Sequence, residues 1–153
     1  MKKMSTSIVL AFCATGALAQ STPTVERAIA YLNIAGERPH RNKVTANYSY
    51  ESGYLVVDLD NSGYPEWIIK IPLKAVATEE SLVTLDREPF GDYVNIKLAC
   101  SASVDCIVSQ AGDSAGMSEQ MTGSYRILAS PAEASSVTKA LEFLKAEAEE
   151  EAF

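Results

Sequence analysis

The sequence predicts an α+β domain: a bent antiparallel β-sheet or barrel of about seven strands, with a short N-terminal helix and a C-terminal capping helix. Three observations carry this. Apolar residues recur at helical spacing near each end of the chain, a two-fold alternation fills roughly 80 residues between them, and turn residues interrupt that alternation at short intervals.

The chain opens with MKKMSTSIVLAFCATGALAQ, in which Lys2 and Lys3 precede an apolar run and Ala17-Leu18-Ala19 forms an A-x-A site. This is the pattern of a secretory signal peptide, and its apolar run is too short to span a bilayer. Residues 1–19 are therefore expected to be removed, with no stable membrane insertion afterwards. A lipoprotein reading would modify Cys13, but the bulky Phe12 stands where a small residue belongs. Within the single domain that follows, 20–43 supply a helix and connector, 44–147 the β-structure and closing helix, and 148–153 an acidic tail.

The first helix is expected over Ser21–Gly36, with Thr22 as N-cap, Pro23 in the first turn and Gly36 past the end. Val25, Ala28, Ile29 and Leu32 make its apolar stripe. The connector GERPHRNK is polar and locally basic, and it holds His40, the chain's one histidine. From Val44 the period becomes two. Strands are predicted at Val44–Glu51 and Tyr54–Asp60 around a Ser52-Gly53 turn, then at Glu66–Leu73 and Ser81–Asp86. Arg87 to Asp92 forms a charged turn.

The segment Tyr93–Ser109 reads as a hairpin stapled by Cys100 and Cys106. Val94, Ile96, Leu98 and Cys100 face inward, and Cys106 and Val108 resume that face after a five-residue turn. With Cys13 gone, an even pair in an exported chain points to a disulfide, worth roughly 2 to 2.5 kcal/mol for so short a loop. Gln110–Glu119 reads as a loop and Gln120–Leu128 as the last strand. The final helix begins at a capping box of Ser130, Pro131 and Glu133. Its stripe is Val137, Ala140, Leu141, Leu144 and Ala148, and its acidic end is expected to fray.

This order of elements resembles the pleckstrin-homology-like superfold, and most of all small exported bacterial proteins of that shape. The likeness lies in the N-terminal helix, a strand ending like Ile69-Lys70-Ile71-Pro72-Leu73, and a last helix like Ala140-Leu141-Glu142-Phe143-Leu144. It implies binding or scaffolding rather than catalysis. Phosphoinositide recognition is not implied, because the first hairpin tip, Tyr50-Glu51-Ser52-Gly53-Tyr54, lacks the basic residues that function needs.

The chain carries a formal charge of −7, more negative still without Lys2 and Lys3. That disfavours nucleic acid and anionic lipid surfaces as partners. One stretch looks like the D-x-D-x-D-G-x-x-D calcium loop of integrin-type β-propeller repeats. Asp58, Asp60, Ser62 and Glu66 would offer side chains and Tyr64 its carbonyl, with Ser62 and Glu66 each replacing an aspartate. The competing reading is an ordinary hairpin turn. Tyr54 and Tyr64, each after a Ser-Gly turn, are expected at an exposed contact surface, while Tyr48 and Tyr50 are expected to line the core. No G-x-S-x-G, S-x-x-K, H-E-x-x-H or phosphate-cradling glycine motif occurs. The function expected is that of an exported, non-catalytic binding or structural module of the cell envelope, taking an unidentified protein or small ligand and no obligatory cofactor. A secreted inhibitor of a hydrolase and a hydrolase using surface carboxylates are the alternatives.

Overall fold

In the computed structural model, residues 22–36, 44–61, 66–84, 92–113 and 116–151 are described. Among them the protein is α+β, with two helices and eight strands in two antiparallel sheets. The helices are α1 (Val25–Gly36) and α2 (Pro131–Glu150). One sheet has the order β1-β2-β3-β6-β7, made from Val44–Glu51, Tyr54–Asn61, Trp67–Pro72, Ile107–Asp113 and Gly116–Thr122. The other is β4-β5-β8, from Val76–Thr84, Asp92–Cys100 and Ser124–Ala129. Among the described residues the ladders leave the two sheets separate and close no barrel, so the bent-sheet expectation holds only to that extent.

The two sheets are related by a crease. β3 continues into β4 through a single 3-10 turn at Leu73–Ala75, and β7 into β8 across Gly123. β5 returns to β6 through residues 101–106. The neighbours β3-β6-β7 of one sheet are thus the chain continuations of β4-β5-β8 in the other. Three antiparallel passes cross one line together. Backbone bonds run along it, from Ser101 N–H to Ala75 O and from Cys100 N–H to Gly123 O, both at 2.8 Å.

The crease corrects the predicted cysteine hairpin. The Cys100–Cys106 disulfide is present, but β5 and β6 do not pair with each other. It clips one sheet to the other at the corner. The change of sheet also resets the alternation. Ile96 and Leu98 face the core as expected, yet in β6 it is Ile107, Ser109 and Ala111 that are buried, not Cys106 and Val108. Two further expectations give way. Gln110–Glu119 is not a loop, because β6 and β7 pair through it with Gln110 opposite Glu119. β4 begins five residues earlier than Ser81, directly after the 3-10 turn. Eight strands replace seven, since β7 and β8 divide at Gly123.

The first hairpin turns at Ser52 and Gly53 with φ of 46° and 82°, both in the left-handed region that a two-residue turn between twisted strands requires. The core draws on every layer: Leu32 of α1, Leu55, Val57 and Ile71 of one sheet, Ile96, Leu98 and Ile127 of the other, and Val137, Leu141 and Leu144 of α2. Each such side chain contributes about 1.5–3 kcal/mol when fully buried. The predicted stripe of α2 is buried throughout, and Ala134 joins it. The helix continues to Glu150, through residues set apart by sequence as an acidic tail, and Ala148 of the predicted stripe is core.

Both helix starts differ in detail from expectation. Thr24, not Thr22, caps α1, its hydroxyl accepting from Arg27 N–H at 3.2 Å. At α2 the capping-box residues are present, but the Ser130 hydroxyl donates to the Glu133 carboxylate at 2.8 Å rather than capping a backbone amide. The Ser130 carbonyl meanwhile accepts from Glu133 and Ala134 N–H.

Candidate functional site

α1 packs on α2 and on β1, and the two helices leave a groove of about 650 Å³ between them. Each wall is a stripe at i, i+3, i+4 and i+7, the positions that share one helix face. From α1 and its N-cap come Thr24, Arg27, Ala28 and Tyr31; from α2 come Ser136, Lys139, Ala140 and Phe143. The two walls match in kind and in order: hydroxyl, cation, alanine, aromatic. The segments are T-V-E-R-A-I-A-Y and S-V-T-K-A-L-E-F, which also share valine at the second position and a branched aliphatic at the sixth. The likeness was legible in the sequence as a short repeat across 112 positions (24 to 136). A search for repeats of domain size passes over it.

The residues between the stripes explain the arrangement. Val137 and Leu141 turn into the core and fix the rotation of α2, while Leu32 and Ala35 do so for α1. Ala28 and Ala140 are buried at the helix contact, where small side chains let the backbones approach and set a low groove floor. Arg27 and Lys139 are exposed, Tyr31 is 37% exposed and Phe143 half-buried. A groove of this size with a mixed apolar and cationic lining falls in the range of small-molecule sites. Glu26, beside Arg27 in sequence, has its carboxyl held below the ordinary value, first by its own backbone amide and then by the Thr24 hydroxyl.

Comparison with known proteins finds no match: no family model, no curated protein and no solved structure.

The calcium candidates are spread along one strand and the start of the next. Asp58 and Asp60 lie inside β2, opposite Asn47 and Thr45 of β1, and both are exposed. Alternate residues of a strand point the same way about 7 Å apart. Glu66 is exposed just before β3, while Ser62 and Tyr64 lie outside the described residues, as does His40. Among the described residues, no group of three or more His, Cys, Asp or Glu is placed to hold a metal ion. Tyr54 is 45% exposed at the tip of the first hairpin, and Tyr48 is buried.

A polar device missed by the sequence reading lies beneath α1. Asn33 bonds both backbone groups of Tyr48, accepting from its N–H at 2.6 Å and donating to its carbonyl at 3.2 Å. β1 is an outer strand, so the Asn33 amide occupies the position of a neighbouring strand's backbone. An asparagine mid-helix, where it is a weak helix former, was the available signal. The Tyr48 and Tyr125 hydroxyls lie 3.3 Å apart in the interior. Burial pushes the Tyr48 phenol well above its usual value, with Tyr125 adding to it, and burial raises Tyr125 as well. Neither phenol lines the helix groove.

Proposed function

We propose that the protein is an exported, non-catalytic binding or structural module of the cell envelope that holds a small ligand in the groove between α1 and α2. The observation that carries this reading is the pair of matched stripes lining the groove. Two helices far apart in sequence present the same four kinds of side chain to one cleft. Packing alone calls for the alanines; it does not call for a cation and an aromatic at the same offsets on both walls.

Support for export comes from the N-terminal lysines, apolar run and A-x-A site, and from the disulfide, a bond favoured in oxidising compartments. Among the described residues no helix is long and apolar enough to cross a membrane. Kinship with small exported proteins of the pleckstrin-homology-like kind belongs to the same proposal. Its support is the order of one helix, bent antiparallel sheets and a closing helix.

The test is a thermal-shift titration with the small-molecule fraction of the host's envelope extract. Wild type is expected to gain melting temperature, and a Ser136→Trp variant, whose groove is filled, to gain none. Equal shifts in both, or turnover of a substrate by the wild type, would defeat the proposal.

One observation favours a second reading, an inhibitor of an exported hydrolase. Residues 101–105, closed by the disulfide, are all exposed, and Val104 at 72% is the most exposed large apolar side chain described. A constrained loop loses little entropy on docking. Val104→Asp should then abolish inhibition of the hydrolase without lowering the melting temperature.

A further inference from the structure

The outer face of the five-stranded sheet carries more apolar surface than a wet face needs. Leu55, Val57, Ile69 and Ile107 belong to the core, so their neighbours in the strands point outward. The ladders set those neighbours in one row: Val56 opposite Lys70, Lys70 opposite Val108, and Val108 opposite Met121. In the next row Ile68 stands between Asp58 and Gln110. A sheet with one wet face alternates apolar with polar residues, whereas strands covered on both faces read as continuous apolar runs. Leu55-Val56-Val57, Ile68-Ile69 and Ile107-Val108 are runs of the second kind. Both helices nevertheless join the buried cluster on the inner side, α1 packing on β1, β8 and α2, and α2 on the 3-10 turn, β5 and β8. Among the described residues neither helix packs on the outer row, where Val56 is shielded by its neighbours, Ile68 and Val108 are half-buried and Met121 is 50% exposed.

Charge decides what kind of cover fits. Glu51, Asp58, Asp60 and Glu119 share this face and are exposed, against one cation, Lys70. A second copy of the chain would bring the same excess of carboxylates and be repelled. Asp58 and Glu119 lie in one row with Ile68 and Gln110 between them, three strand spacings or about 14 Å apart. An α-helix with its side chains, about 10–12 Å across, fits between them. The Gln110 amide donates to the Glu119 carboxylate at 3.1 Å and so steadies it on the outer strand. We infer that this face docks a cationic amphipathic helix of a partner protein, its apolar stripe over Ile68 and Val108 and its lysines or arginines reaching Asp58 on one side and Glu119 on the other. The Lys70 stem adds apolar surface beneath the helix while its ammonium turns to water. Docking there does not involve the groove between α1 and α2.

Fluorescence anisotropy of a labelled leucine and lysine peptide, patterned as an amphipathic helix of about five turns, tests this on the disulfide-intact protein. Saturable binding of one peptide per chain is expected, about tenfold tighter than that of a peptide of the same composition in scrambled order. Asp58→Asn with Glu119→Gln should weaken binding about tenfold. Glu26→Gln with Glu142→Gln, which removes the same charge from exposed positions on the two helices, should change it by less than about twofold. Met121→Ser, at a half-exposed position, should weaken binding about threefold without lowering the melting temperature. No saturable binding, equal affinity for the scrambled peptide, or equal weakening by the two double variants would overturn the inference. Loss of binding in Ser136→Trp would move the peptide to the helix groove and refute it too. A dimer of the protein that Met121→Ser dissociates would make a second copy the cover and refute it in the same way.

Discussion

Asn33 shows how much can depend on one side chain. Its amide satisfies a backbone N–H and carbonyl of β1 that lie beneath α1 and away from β2. Asn33→Ala leaves both without that partner in a part-buried site, at a cost of about 1–3 kcal/mol. Equilibrium urea unfolding should show the loss as a lower midpoint with an unchanged slope. The tyrosine pair makes a prediction in pH. In the folded state the Tyr48 and Tyr125 phenols are both held above the ordinary value of 10.0. The unfolded chain therefore ionises first as pH rises. The stability these groups contribute is complete below pH 10.0 and declines above it, as the unfolded state releases protons that the folded state retains. A Tyr48→Phe, Tyr125→Phe double variant should flatten the alkaline arm of melting temperature against pH. An unchanged arm would place the effect elsewhere.

Among the elements, those legible in sequence were the ones governed by local rules. The α2 stripe, the Ser52-Gly53 turn and the inward face of β5 follow from period and turn chemistry, and each is where the sequence puts it. What stayed hidden needed knowledge of which strands pair. Cys100 and Cys106 can be read as a bonded pair from number and compartment, but nothing local says that β5 and β6 belong to different sheets. Polar residues such as Gln110 and Glu119 look like loop until they are seen as cross-strand partners, bonded at 3.1 Å. At the crease, a Cβ added to Gly123 would stand 2.8 Å from Asp105 Oδ1, the end of an exposed side chain that can move. Gly123→Ala should therefore cost about 1 kcal/mol and lose most of that penalty in an Asp105→Ala background. Equal penalties in both backgrounds would show that the backbone, not Asp105, sets the requirement. Replacing both cysteines with alanine should lower stability by roughly 2 to 2.5 kcal/mol. Guanidinium unfolding followed at Trp67 should report it.

At the scale of the whole molecule, both sheets and both helices feed one buried cluster, so the protein is expected to unfold as a unit. The candidate groove was only half legible. Its two helices were predicted, as were Ala28 and Ala140 on their apolar stripes. That the remaining stripe residues face each other across a cleft depends on how the helices dock, which one sequence does not state. Those stripes lie at the margin of each apolar face, where a cation or a half-exposed aromatic looks like ordinary surface.

The asparagine that stands in for a missing strand also protects the chain while it folds. Until the first helix settles, β1 offers a bare hydrogen-bonding margin of eight residues, and Glu51 is its one charged residue. The other outer strands, β4, β7 and β8, carry Glu79 and Glu80, Glu119, and Arg126, charges that discourage pairing between copies. A polypeptide beginning at Lys43 should consequently join copy to copy through β1 and elute as growing oligomers on gel filtration, whereas the same polypeptide bearing Ala46→Pro, at a position whose N–H lies on the outer side like that of Tyr48, should not.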